Sequence, residues 1–239
     1  MLAQNSSVDI HDTGGSGTPV VLLHAATGHS GMWQHQLPAF TKAGYRCIAF
    51  DRRAEGHASD QLHEVAASLG LERFHLVGTA AGAIVAVDYA LSRPQWLRSL
   101  VLANTIVGVT DQDYLELSRR LRPPPQFDAM PADFRELGPS YRAANTEGTR
   151  HWHDLAHQKP RVAYTTRNKI TWAALETVKL PTLLLTGDAD LYMPPSVLRL
   201  FAKRFPHCES VVLPECGHSA YWEQPELFNR AVLAFLAKH

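Results

Sequence analysis

Three short stretches of this sequence place side chains where they could do chemistry together. Phe74-His75-Leu76-Val77 is an apolar run that enters Gly78-Thr79-Ala80-Ala81-Gly82 and then a small-residue helix. In such a strand–turn–helix the central residue is strained and its side chain is presented outward, so the flanking glycines must carry no Cβ that would collide with neighbouring elements. The central residue here is Ala80, whose methyl neither gives up a proton nor attacks a carbonyl carbon. Leu185-Thr186-Gly187-Asp188-Ala189-Asp190, with Pro194 beyond, brings two carboxylates just past a second apolar run. Pro214-Glu215-Cys216-Gly217-His218 offers an imidazole, the side chain best suited to move protons near neutral pH, with Glu223 and Pro225 following. Gly-x-x-x-Gly alone is equally what close packing of a helix on a strand requires.

Taken in chain order, these stretches resemble the α/β-hydrolase superfamily. The first is similar to its Gly-x-Ser-x-Gly nucleophile elbow with alanine at the nucleophile position. The second resembles the Gly-x-x-Asp-x-x-x-Pro loop, whose last carboxylate orients the histidine; Asp190 fits that role, and Asp188 reads as a turn or cap carboxylate. The third resembles the Gly-His-x-x-x-x-Glu-x-Pro segment, which makes His218 the candidate base. Val20-Val21-Leu22-Leu23-His24-Ala25-Ala26 resembles the strand and His-Gly-x loop that donates one oxyanion amide. By position, Ala26 and Ala81 would supply the two N–H groups. Two departures stand out: Ala25 replaces the usual glycine, and the Asp-x-Arg-Gly-x-Gly-x-Ser loop reads Asp51-Arg52-Arg53-Ala54-Glu55-Gly56-His57-Ala58-Ser59. The resemblance runs from about Val8 to His239 except for the segment from about Thr105 to Trp172, where it says only that insertions vary, and it implies no cofactor.

The remaining candidates read more plainly. His151, His153 and His157 have the spacing of a helix face rather than of a metal site. His207, His239 and His63 are expected in solvent. Thr79 adjoins Ala80, but neighbours on a tight turn point different ways, so its hydroxyl is expected to face the interior. Trp33, close to the oxyanion loop, suits a small, partly aromatic substrate, although for any single tryptophan packing is the better explanation.

To hold these groups the chain needs a mostly parallel sheet covered on both sides. Strand-length runs at Pro19–His24, Tyr45–Asp51, Phe74–Gly78, Leu97–Ala103, Pro181–Gly187 and Ser210–Leu213 are continuously apolar. Helical stretches at Met32–Lys42, Gln61–Leu69, Ala81–Ser92, Pro195–Phe205 and Pro225–Lys238 alternate with them, which is α/β order. From about Thr105 to Trp172 no strand is expected; Tyr114–Leu121 and a turn-rich, aromatic-bearing remainder predict a helical cap. The expected organisation is therefore a core of residues 1–104 and 173–239 with a cap at 105–172. The stretch Asp51–Gln61 is short for this architecture, which predicts a truncated helix or an absent loop before the elbow.

Composition limits the partners. Lys+Arg 23 against Asp+Glu 23 leaves no surplus charge for phosphate backbones or anionic lipid, so neither nucleic acid nor membrane is expected. Cys47, Cys208 and Cys216 cannot all pair and lack metal spacing; reduced thiols point to the cytoplasm. With no basic-then-apolar leader and no uninterrupted apolar span, secretion and membrane insertion are not expected.

Alanine at position 80 leaves two explanations open: a laboratory exchange of serine, or a lineage that abandoned covalent catalysis. The leading expectation is a hydrolase lineage acting on an ester, enol-lactone or carbon–carbon bond of a small carbonyl compound. A cofactor-independent, non-hydrolytic catalyst using the His218–Asp190 pair is the alternative, and a receptor-like binding protein is the third; an oriented base argues against pure binding.

Overall fold

A computed structural model describes residues 9–53, 55–160 and 164–239. Its strands are β1 (Ile10–Asp12), β2 (Pro19–Leu23), β3 (Arg46–Phe50), β4 (Phe74–Thr79), β5 (Leu97–Ala103), β6 (Thr182–Gly187) and β7 (Cys208–Leu213). They form one sheet in the order β1-β3-β2-β4-β5-β6-β7, parallel except for β1, which pairs antiparallel with β3. The helices are α1 (Leu37–Lys42), α2 (Ala58–Ser68), α3 (Ala81–Ser92), α4 (Gln112–Leu121), α5 (Ala132–Glu136), α6 (Pro139–Ala144), α7 (Thr146–Ala156), α8 (Trp172–Glu176), α9 (Pro195–Ala202), α10 (Ala220–Glu223) and α11 (Pro225–Leu236). The fold is thus a mostly parallel α/β sheet flanked by helices.

The continuous apolarity of the central strands has a direct cause in the packing. Val21, Leu23, Ile48, Leu76, Leu100 and Leu184 face one buried layer, with residues of α2, α3 and α9. Val20, Leu22, Cys47, Val77, Val101 and Leu185 face the other, with Phe40 of α1 and Phe228 and Val232 of α11. Successive residues of a strand point to opposite faces, so both parities must be apolar when both faces are covered.

Two elements differ from expectation. β1 is three residues long and mostly exposed, too short to leave an apolar run. The stretch expected as one helix over Met32–Lys42 is a single 3₁₀ turn at Ser30–Trp33 followed by α1, because Pro38 fits only in a first helical turn. The helix before the elbow is not lost: α2 runs for 11 residues. Among the described residues between β5 and β6 there are helices α4 to α8 and no strand of the sheet. Tyr114 of α4 packs against Trp172 and Phe201, with ring centroids 5.7 and 5.1 Å away, which ties this segment to the core. Among the described residues no helix is long and apolar enough to cross a membrane.

Register decides where the loops meet. Leu23 lies beside Gly78, Thr79 beside Ala103, and Ala103 beside Leu185. The carboxyl ends of β2, β4, β5 and β6 therefore form one row, the place where open α/β sheets gather functional loops.

Candidate active site

The elbow between β4 and α3 is built by backbone sterics. Ala80 holds φ 48°, ψ −115°, a conformation that L residues rarely adopt. A Cβ on Gly82 would lie 2.1 Å from the Leu23 carbonyl oxygen, and one on Gly78 would lie 2.6 Å from the Ala83 nitrogen. Glycine is thus required at both positions for the helix to sit this close to the sheet. Ala80 is held by its N–H donating to the Ala103 carbonyl at 2.9 Å and by the Thr105 hydroxyl donating to its own carbonyl at 3.0 Å. Thr79 is 1% exposed, so its hydroxyl stays in the interior.

The acid loop leaves the end of β6 and returns through Pro194 into α9. Asp190 is fully desolvated, and donors surround it: the N–H groups of Tyr192 and Met193 reach Oδ1 at 2.8 and 2.9 Å. The Thr186 hydroxyl and the Asn104 amide reach Oδ2 at 2.9 and 3.0 Å. His218 Nδ1 lies 2.9 Å from Asp190 Oδ1. Burial would raise the Asp190 pKa, but the imidazole and these donors outweigh it and hold the carboxyl below its ordinary range. Burial likewise opposes charge on His218, and the Asp190 carboxylate reverses this, raising the imidazole above its ordinary value. With Nδ1 engaged, Nε2 is the nitrogen left for chemistry. Asp188 is exposed and accepts from the Cys216 N–H at 3.3 Å, a loop-bracing role.

The loop after β2 is braced from below. Arg52 is buried and donates to the carbonyls of His24 and Ala25, the latter at 2.9 Å. His24 Nδ1 lies 2.7 Å from the Ala25 oxygen, and burial beside the Arg52 charge drives the His24 pKa down to about 3. Asp51 accepts from the Ser30 N–H at 2.7 Å and from Lys159. Ala54, the other departure in this loop, lies outside the described residues.

These elements enclose a cavity of about 120 Å³ lined by Ala26, Ala80, Ala81, Asn104, Glu136 and His218, with the apolar or aromatic Ile84, Ile106, Tyr164 and Tyr192. The structure thus brings Ala80, Ala26, Ala81 and His218 together, with Asp190 behind the imidazole. It does not bring His24 or Trp33 to the cavity wall. His24 is a buried, neutral brace. Trp33 is fully buried, with its ring centroid 5.1 Å from that of Tyr221, so its bulk fills the core rather than contacting a substrate. His63, expected in solvent, is partly covered and meets Trp96 edge-on at 4.8 Å. His151 and His153 lie on α7, with His157 at its C-cap, and no group of three metal-ligating side chains occurs among the described residues.

Sequence reasoning missed several wall residues. Asn104 follows β5 at φ 47°, where asparagine is better tolerated than most residues, and that position at a strand end was a readable signal. Tyr192 stacks on His218 with centroids 4.3 Å apart and follows Asp190 by two residues. Glu136 sits on a five-residue helix with no motif to announce it.

Comparison with known proteins places this geometry. The family model of the alpha/beta hydrolase fold matches residues 18–225. The putative non-heme bromoperoxidase BpoC of Mycobacterium tuberculosis is 26% identical over 95% of this chain and 97% of its own length. A 2-hydroxy-6-oxononadienedioate/2-hydroxy-6-oxononatrienedioate hydrolase of Burkholderia vietnamiensis is 29% identical over 97% of this chain and 91% of its own. A thermophilic esterase of Thermogutta terrifontis superposes with a TM-score of 0.81 at 26% identity, covering 97% of this chain and 93% of that one. A strained elbow, a buried carboxylate–histidine pair at the strand ends and a family match over most of the length agree: this chain belongs to the α/β-hydrolase family of enzymes.

Proposed function

We propose that this protein belongs to a lineage that hydrolyses small carbonyl compounds, an ester, enol-lactone or carbon–carbon bond, with position 80, His218 and Asp190 as the working set. The observation that carries the reading is the elbow itself: Ala80 keeps a strained conformation in the same cavity as His218, although a methyl group has no use for it. Such strain costs about 1–3 kcal/mol and persists where the surrounding structure enforces it.

With alanine at position 80 no acyl-enzyme forms, and the nucleophile must be water. His218 Nε2 takes a proton from water as the oxygen bonds to the carbonyl carbon, and the oxyanion is steadied by the N–H groups of Ala26 and Ala81. Collapse breaks the bond to the leaving group, which takes the proton back from His218. Asp190 keeps the imidazole oriented and offsets its charge. Ile84, Ile106 and the two tyrosines suit a small, partly aromatic substrate. Three unpaired thiols fit a reducing compartment.

The test is Ala80→Ser. The new hydroxyl would stand about 3 Å from the imidazole, and loss of such a serine typically costs on the order of 10⁶ in rate. Turnover of p-nitrophenyl acetate and labelling by a fluorophosphonate should therefore appear in the serine variant. If the variant folds and does neither, the pair acts as a base on the substrate itself, and the non-hydrolytic reading replaces this one.

A further inference from the structure

Outside the working set, Glu223, at the end of α10, is a buried carboxylate whose hydrogen bonds all come from backbone N–H groups. It is buried, at 6% exposure, and its carboxylate accepts from backbone on both sides of His218. The Gly217 N–H lies 3.0 Å from both of its oxygens, and the Ser219 N–H lies 3.2 Å from Oε1. A third donor comes from a different segment of the chain: the N–H of Gly138, the junction between α5 and α6, reaches Oε2 at 2.6 Å. The two loops also touch backbone to backbone. A Cβ on Gly138 would lie 2.9 Å from the Gly217 nitrogen, and one on Gly217 would lie 2.6 Å from the Gly138 nitrogen. Through Gly138 this contact reaches α5, whose Glu136 lines the cavity.

We propose that Glu223 is a positioning residue for His218: one carboxylate clamps the histidine loop to the α5–α6 junction, so that the imidazole and the part of the cavity wall carried by α5 keep their places as a unit. From the preceding reading this takes only that His218 is the base. The charged groups and titratable side chains facing the carboxylate are Asp190 from the β6 loop, Tyr141 from α6, Cys216 from the histidine loop and Tyr221 from α10 itself. Burial raises the Glu223 pKa to about 7 against the pull of its three donors. The closed arrangement therefore binds this proton more tightly than a solvated carboxyl would, and the clamp loosens as pH rises through that value and the desolvated carboxylate must carry its charge.

The experiment uses the full chain, isotopically labelled, and follows the His218 imidazole and the amides of Gly138, Gly217 and Ser219 by NMR in three forms: unaltered, Glu223→Gln and Glu223→Asp. Glutamine has the same shape but turns an N–H₂ toward donors. It should speed exchange at those three amides at least tenfold and lower the pH at which His218 titrates, with aspartate restoring part of both. In the Ala80→Ser background Glu223→Gln should cut kcat at least tenfold while KM moves less than threefold. A folded Glu223→Gln protein with unchanged amide protection and unchanged His218 titration overturns the proposal. Should that variant fail to fold, the unaltered chain decides: protection at the three amides, corrected for intrinsic exchange, must fall together as pH rises through about 7, and protection that ignores pH overturns the clamp. An Ala80→Ser protein without turnover would count against the hydrolase reading, and the NMR comparison would still judge Glu223.

Discussion

His218 Nδ1 stands 2.9 Å from Oδ1 of Asp190, and that carboxylate takes four further hydrogen bonds from Thr186, Asn104, Tyr192 and Met193. The acceptor is therefore fixed before the imidazole meets it, and the tautomer with the proton on Nδ1 is enforced. Asp190→Asn should present a donor to Nδ1 and favour the wrong tautomer. In the Ala80→Ser background it should lower kcat by about 10⁴ while the fold survives. Steady-state kinetics beside a circular dichroism spectrum check it; a loss under tenfold would show that the pair does not work as assigned.

Acid should destabilise the protein through His24. Its folded pKa is depressed to about 3 from 6.5, so the folded state binds fewer protons than the unfolded chain between those values. The stability this neutral histidine contributes is present above 6.5 and lost as pH falls toward 3. The pair at the site adds two further limbs. Asp190, depressed below its ordinary 3.8, contributes stability above that value and loses it as pH falls through the folded pKa. His218, raised above 6.5, contributes fully below that value and loses it as pH climbs through the folded pKa. Urea denaturation across pH 4–8 should show the His24 limb, and His24→Gln should flatten it by up to about 1.4 kcal/mol per pH unit.

Gly82→Ala should be among the costliest single-methyl additions in the molecule, because the new carbon would meet the Leu23 backbone at 2.1 Å, which cannot swing aside. A loss of about 3 kcal/mol is expected from overpacking of this kind. Gly70→Ala is the control: it has φ +64° but open space around it, so about 1 kcal/mol is expected. Equal losses in chemical denaturation would remove the close-approach argument for the elbow.

Trp33→Phe should lower stability and leave ligand affinity alone. The indole is fully buried against Tyr221 and Phe228 and forms no part of the cavity wall. Removing part of a buried aromatic side chain should cost about 1–3 kcal/mol. Calorimetric melting and the Kd of a short ester on the same sample separate the two effects; a Kd shift beyond twofold would return Trp33 to the binding surface.

The elbow, the acid loop and the histidine loop were legible because each is written in neighbouring residues. Gly78 and Gly82 are local steric necessities, and the strand runs around them are apolar at both parities because both faces of the sheet are covered. The βα alternation follows from the same local patterns. What tertiary structure alone decided is the order of strands, β1-β3-β2-β4-β5-β6-β7, and the register that lines up the ends of β2, β4, β5 and β6. Burial also had to be seen in three dimensions: Trp33, near the oxyanion loop in sequence, turns into the core, while Glu136, far from every motif, reaches the cavity. A sequence states which side chains a turn can tolerate. It does not state which distant backbone, such as Gly138 against Gly217, will pack there, because that contact depends on how separate elements share one interior.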